Sequence, residues 1–410
     1  MTGGFSDVDN QAIDHLLAFD GNLYAGTINS VDGAEIWRSG SGSSWTRVVF
    51  DGFGELSNTE VMRFAIFNSQ LYASTWSSDP SNGGDIWRSS TGNSGDWIQV
   101  ANNGFGDVNN SGAIVFEEFN SVLYAGTYNL VSGGEVWRSS DGASWVQVNA
   151  DGFGEGASAH VSGLASFNGY LYASTFRSSA GGATIWRCQT CDGTDWTQVV
   201  TNGFGSSDIG GMNGLQVHDG MLYFVTGSSW SSGIGLTAWR TSNGTIWEQI
   251  GFAGFGDSNN RAPYWDNATL SHGGSLYIGT YNPAHGGEVW RKLYHGISVD
   301  PPSDTQDGAR GATVVYTLEV TNQGEEIDDF DVAVSGNAWT TIAVSTIGPV
   351  GPGGNTMLDI SVTIPLSALP SDFDNATVTL TSQADPIEFV EAVLTTGVYD
   401  YDLYLPLIMR

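Results

Sequence analysis

Along roughly the first 290 residues, short apolar runs alternate with polar turns on a fixed period. In Phe64-Ala65-Ile66-Phe67, Leu71-Tyr72-Ala73-Ser74-Thr75, Asp85-Ile86-Trp87-Arg88 and Trp97-Ile98-Gln99-Val100, β-rich stretches are separated by Asn-Ser, Gly-Gly and Gly-Asn turns. The same order returns six times: a Gly-Phe turn, an apolar strand, a Leu-Tyr-Ala-Gly-Thr-like strand, a strand carrying Trp-Arg, and a loop ending in Trp. The Leu-Tyr pairs start at Leu23, Leu71, Leu123, Leu171, Leu222 and Leu276, 48 to 54 residues apart, the length of one four-stranded propeller blade. One such sheet has two apolar faces and cannot bury both alone, so the units are expected to stack as a six-bladed β-propeller. Trp37, Trp87, Trp137, Trp186, Trp239 and Trp290 recur at one register and belong in the core between blades. The arginine after each of them reads as structural too.

From about Ile297 the Trp-Arg repeat is gone and Pro301-Pro302 interrupts the chain. New strand patterns follow at Val314 to Thr321, Phe330 to Ser335, Trp339 to Val344, Met357 to Ile364, Ala376 to Thr381 and Phe389 to Thr396, enough for a two-sheet β-sandwich. The expected organisation is therefore all-β: residues 1–295 a six-bladed propeller, 296–399 a sandwich, and 400–410 an apolar tail. The sixth unit lacks a Trp-containing fourth strand, because Arg291 runs through Lys292-Leu293-Tyr294-His295 straight into the sandwich. An open sheet edge is a template for pairing. In the tail, Leu403, Leu405 and Leu407 share one face of an extended strand, so it is expected to add to such an edge, in the same chain or a neighbour, as an assembly element. Pro406 would require an edge position. An extra sandwich strand or a sorting tail are the alternatives.

Charge narrows the partners. Lys and Arg total 13 against 44 Asp and Glu, a net charge of −31, which repels nucleic acid and anionic lipid surfaces. Cations, neutral glycans and proteins with basic patches remain. Abundant Gly and Trp, few charged residues and the absence of an apolar run long enough for a spanning helix suit an exported protein, extracellular or at the cell surface. Met1-Thr2-Gly3-Gly4 carries no signal peptide, so a longer natural precursor is expected. Cys188 and Cys191 lie in one hairpin loop. Two thiols do not make a four-ligand zinc site; a loop-stapling disulfide is the expected state, with a reduced inert pair or a redox site as alternatives.

Two resemblances add to this. The stretch Thr317-Leu318-Glu319-Val320-Thr321-Asn322-Gln323-Gly324, with the short strand around Val332-Ala333-Val334, resembles the immunoglobulin-like modules of bacterial exported proteins, which implies a spacer or display role. Ser139-Ser140-Asp141-Gly142-Ala143-Ser144-Trp145 and Thr190-Cys191-Asp192-Gly193-Thr194-Asp195-Trp196 resemble the Asp-box of sialidase-like propellers; Thr241 to Trp247 substitutes Asn243, and Ser39 to Trp45 substitutes Ser41. The resemblance implies a hairpin brace on the face opposite the family's catalytic site, so the motif is no evidence of catalysis. That family's chemistry needs three arginines, a Tyr activated by Glu, and an Asp acid. Arg63, Arg177 and Arg261 are three non-repeat arginines, with Tyr264, Asp266, Glu60 and Asp14 available beside them. The family's Phe-Arg-Ile-Pro signature is absent, since Arg63 sits in Met62-Arg63-Phe64-Ala65.

In a repeat protein, departures from the repeat point to function. Aligning first strands on Phe19, Phe67, Phe119, Phe167, His218 and His272, the residue four earlier reads His15, Arg63, Val115, Gly163, Gly214 and Ala268. Asp14, Glu60, His160, Asn213, Arg261, Tyr264, Trp265 and Asp266 lie just upstream, and these polar outliers are expected at one mouth of a central channel. Trp76, Tyr128, Phe176 and Tyr281, which follow second strands, with Arg177, are expected on the same face as rings for stacking on sugars. The Gly-Phe-Gly-(Asp/Glu)-x-x-Asn turns, as at Asp107 to Asn110 and Asp257 to Asn260, place oxygens that calcium could use, but their repetition argues for turn chemistry instead. The reading is an exported, non-enzymatic surface protein that recognises a glycan or protein through its propeller face. A sialidase-like glycoside hydrolase and a structural subunit of an extracellular polymer are the alternatives.

Overall fold

The computed structural model describes residues 3–155, 158–177, 181–211, 214–227, 235–251, 253–262 and 269–399. The chain is all-β and divides into two bodies, Met1–Arg291 and Lys292–Arg410.

In the N-terminal body each repeat is one antiparallel meander. Unit 2 shows the plan: Asn58–Phe67, Gln70–Ser77, Ile86–Ser89 and Ile98–Ala101 pair in chain order. The first strands of successive units lie next to one another from unit 1 to unit 6. Units 1 and 2 are also linked edgewise by Ile28 opposite Glu60, and units 3 and 4 by Tyr128 opposite His160, so each pair forms one curled sheet.

The recurring residues explain the stacking. A Gly-Phe turn precedes each unit with both residues at positive φ (58° and 64° at Gly52 and Phe53), a conformation unfavourable for Phe. Its ring is held between the two tryptophans of the unit that follows: Phe53 stacks on Trp87 at 4.5 Å and meets Trp97 edge-on at 5.6 Å. Phe105, Phe153 and Phe204 repeat the arrangement. The Leu-Tyr tyrosine and the Trp-Arg arginine reach the outer loop of the next unit. Tyr24 Oη donates to the Thr91 carbonyl (3.1 Å), Arg88 to that of Asp141 (3.2 Å) and Arg138 to that of Cys191 (2.9 Å). Gly142 is required because a Cβ there would collide with Tyr72 Oη. Between strands, Val61 fills the space left by Gly26, and Val161 that left by Gly126.

Six such units were expected to close a ring. Instead, among the described residues, the outer faces of the first and last units stay exposed: Leu16 and Leu23 in unit 1 and Val289 in unit 6 are exposed where most of their counterparts are buried, and Leu270 in unit 6 is exposed beside them. Unit 6 has three strands among the described residues, Thr269–His272, Ser275–Gly279 and Val289–Arg291. Among the described residues nothing pairs with its third strand from outside in the way that Ile98–Ala101 pairs with Ile86–Ser89.

The C-terminal body has a four-stranded and a five-stranded sheet around one core that includes Tyr316, Leu318, Phe330, Ile360, Leu380 and Leu394. Lys292 pairs with Asp385 at 3.1 Å and the Tyr294 amide donates to Glu325, so residues from 292 on are tied to this body and the expected boundary at 295 moves back. Pro301-Pro302 is where the chain changes sheets: Ile297–Asp300 pairs in one, and Ser303–Gly308 runs parallel to Phe389–Val398 in the other. Ser303–Gly308 was invisible to apolar patterning because Ser-Asp-Thr-Gln-Asp-Gly has no apolar side chain.

Candidate functional site

The first strands carry a repeated irregularity. Pairing with the second strand skips one residue at Asp14, Met62, Ile114 and Ser162, a β-bulge at the same place in each of units 1 to 4, and units 2 and 4 carry a second shift nearer the start of the strand. A bulge bends the strand and re-aims the extra side chain. The residue after each bulge is the inner position where the sequence departs from its repeat.

In units 1 and 2 the departures meet. Arg63 lies 3.9 Å from Asp14 Oδ2, both largely buried, and donates to the Met62 carbonyl at 2.9 Å. His15 Nδ1 accepts the Phe64 amide at 3.0 Å, which fixes the tautomer with the proton on Nε2. Burial, and then the Arg63 charge, hold the His15 pKa at about 4, so the ring is neutral near pH 7. The result is a carboxylate, a guanidinium and a neutral imidazole on adjoining inner strands. Glu60 stands at the strand junction, opposite Ile28 on one side and Trp76 on the other.

The aromatic residues form a second cluster. Trp76, Tyr128, His160 and Phe176 make a continuous ladder with ring centroids 4.9, 5.0 and 4.6 Å apart. Met62 and Ile114 pack beneath its first two rungs. Tyr128, His160 and Phe176 are buried, and their faces are turned to one another. A sugar-stacking platform built from them is therefore withdrawn; partly exposed Trp76 and exposed Tyr281 keep open ring surface. Burial alone pushes the His160 pKa down to about 3.

The single mouth expected for all the outliers thus resolves into separate groups. Arg177 pairs with Glu155 on the turn before its own unit, at 3.0 Å. Arg261 sits in an isolated bridge, exchanging backbone hydrogen bonds with Tyr281 at 2.9 Å each way. Tyr264, Trp265, Asp266 and Asn213 lie outside the described residues, as do Leu403, Leu405 and Leu407. Cys188 and Cys191 are joined in a disulfide. At the turns considered for calcium, the acid oxygens already accept N–H groups: Asp107 from Asn109 and Asn129, Asp257 from Asn259, Asn282 and His285. Among the described residues no group of three or more His, Cys, Asp or Glu is placed to hold a metal. The loop aspartates behave as turn braces; Asp141 accepts from the Ala143 and Ser144 amides at 2.8 and 2.7 Å, which lowers its pKa.

Sequence reasoning missed the bulge and the burial of the ladder. The bulge had a signal, since the residue just before the inner position reads Asp14, Met62, Ile114 and Ser162. Burial of the rings had none, because it depends on which unit supplies the next rung.

No family model and no curated protein matches the chain. Among solved structures it resembles an exo-β-1,3-galactanase from Phanerochaete chrysosporium crystallised with β-1,3-galactotriose (11% identity, TM-score 0.36, covering 93% of this chain and 94% of that one). It also resembles a thermostable family-43 glycoside hydrolase (14% identity, TM-score 0.35, 61% and 94%). A FixG-related protein from Vibrio parahaemolyticus matches over 26% of this chain and 96% of its own (20% identity, TM-score 0.21). Superpositions this loose settle no activity. No helix among the described residues is long and apolar enough to cross a membrane.

Proposed function

We propose that this is an exported, non-enzymatic recognition protein, in which six propeller blades display a glycan-binding patch and an immunoglobulin-like sandwich acts as spacer. The observation that carries the reading is the meeting of Asp14, His15 and Arg63 on the inner strands of units 1 and 2. A hydroxyl-rich ligand needs acceptors and donors side by side: the Asp14 carboxylate accepts, while the Arg63 guanidinium and the neutral His15 Nε2–H donate. Trp76 and Glu60 flank the patch. With a net charge of −31, a neutral sugar is favoured over an anionic one.

The test is a glycan array run alongside a panel of fluorogenic aryl glycosides. Arg63→Ala should abolish glycan binding in protein that remains folded, and undiminished binding by that variant would remove the assignment. Turnover of an aryl glycoside that disappears in Glu60→Gln would replace it with a glycoside hydrolase.

A further inference from the structure

We infer that unit 6 of one copy of this chain receives unit 1 of a second copy, continuing between molecules the interface that joins successive units within one. Each internal interface has a leading face and a trailing face. The leading face of a unit carries a knob at the position of Val61 and Val161, an apolar residue at the position of Phe64, Leu164 and Leu215, and the leucine of Leu-Tyr. These are buried against the preceding unit: Val61 and Val161 are 0% exposed, Phe64, Leu164 and Leu215 are 4–5%, and Leu71, Leu123, Leu171 and Leu222 are 0–1%. The trailing face carries the hole (Gly26, Gly126), the tyrosine, and the arginine that reaches the next unit's loop.

Among the described residues unit 1 presents an exposed leading face: Ile13 is 41% exposed, Leu16 60% and Leu23 40%. Unit 6 presents the matching trailing face: Leu270 is 60% exposed, and Val289 is 78% where Ile36, Ile86, Val136 and Ile185 are 0–1%. Gly279 holds the register place of Gly26 and Gly126, and Tyr277 and Arg291 hold those of Tyr24 and Arg38. In both end units the opposite face is covered; Tyr24 is buried against unit 2, and Leu276 is buried in unit 6. The uncovered surfaces are therefore complementary halves of an interface whose geometry the molecule already contains. Contiguous apolar surface of this kind marks an interaction site. Because leading and trailing faces differ, the contact is head-to-tail, closing into a ring or extending into a filament according to the rotation per copy.

Sedimentation or light scattering of the full chain over a dilution series should show species larger than a monomer that grow with concentration. Leu16→Glu and Val289→Glu, on opposite faces, should each abolish them. Mixing Leu16→Cys with Leu270→Cys protein under mild oxidation should give covalent heterodimers, the native cysteines being already paired. A monomer at every concentration would overturn the inference. So would a Leu16→Cys/Leu270→Cys double variant that cross-links only within one chain, since unit 1 would then cover unit 6 of its own molecule.

Discussion

Units 3 and 4 share one sheet yet hold their outer strands in different ways. In unit 3 the buried Glu135 accepts from Asn110 Nδ2 (2.7 Å) and Trp137 Nε1 (2.7 Å), while Thr127 Oγ1 donates to the Asn110 side chain (2.9 Å). Units 1, 2 and 6 keep the same Asn–acid pair, at Asn10–Glu35, Asn58–Asp85 and Asn260–Glu288. In unit 4 both partners are gone. Thr184 replaces the acid, bonding Thr175 Oγ1 at 2.7 Å and accepting from Trp186 Nε1 at 2.9 Å, and Ser158 stands in the place of the Asn. Unit 5 makes the same double replacement with Thr237 and Ile209. The lesson is that the pair changes as a pair. A buried carboxylate without donors, or a buried amide without its acceptor, costs more than the bond contributes.

The largest expected difference between the two units is in acid. The folded pKa of His160, at the edge of unit 4, lies at about 3 against an ordinary 6.5, so the unfolded chain binds the extra proton first. Stability is full above pH 6.5 and falls by about 1.4 kcal/mol per pH unit toward pH 3. Glu135 works in the opposite sense: burial raises its pKa, so its contribution grows as pH falls through the raised value. Urea midpoints from neutral to acid pH should therefore flatten in His160→Phe and steepen in Glu135→Gln.

Next in size is the Asn–acid pair. Asn110→Leu should destabilise by about 2–4 kcal/mol by leaving Glu135 and the Gly104 carbonyl short of a donor. Giving unit 3 the pattern of unit 4, as Asn110→Ser with Glu135→Thr, should recover at least half of that loss. A double-mutant cycle showing no coupling would mean the joint replacement has no energetic basis.

Gly142→Ala in unit 3 should cost about 1–3 kcal/mol, since φ is +70° there and the methyl would meet Tyr72 Oη. The smallest effect falls at the corresponding place in unit 4. Cys188 and Cys191 stand where Ser89 and Gly92, or Thr241 and Gly244, close the turn with a hydroxyl accepting the glycine N–H. Cys188→Ser with Cys191→Gly restores that hydrogen bond. It should lower stability by only about 1 kcal/mol, as read from the shift in melting temperature. A larger loss would show that the covalent link holds more than its own turn.

Much of this architecture was legible in the chain because repetition fixes it several times over. The Leu-Tyr and Trp-Arg periods mark the strands, and the extra structural arginines were recognisable from recurring in every unit. Open end faces were not legible, since Leu16 and Leu23 look like their buried counterparts and only the missing neighbour distinguishes them. Of the candidate site, Asp14, His15 and Arg63 stood out as polar residues at an inner position, and the structure brings them together. Arg177 stood out equally, yet Glu155 holds it on a turn. Charge in a sequence does not say which partner it will find. At the Gly-Phe-Gly turns the repetition pointed to turn chemistry, and there the oxygens of Asp107 and Asp257 accept side-chain and backbone N–H groups.

The Gly-Phe turns set the grain at which this chain can be cut and joined. Since Phe53 is clasped by Trp87 and Trp97, and Phe105 by Trp137 and Trp145, each plug belongs to the sheet that comes after it in the chain. The transferable module therefore begins ahead of the turn, although the first strand starts several residues later. A duplication or deletion with ends just before Asp51 and Asn103 carries plug and socket together. One cut between turn and strand strands the ring from its clasp, so recombination that shuffles blades has a natural joint, and it lies where the backbone turns left-handed.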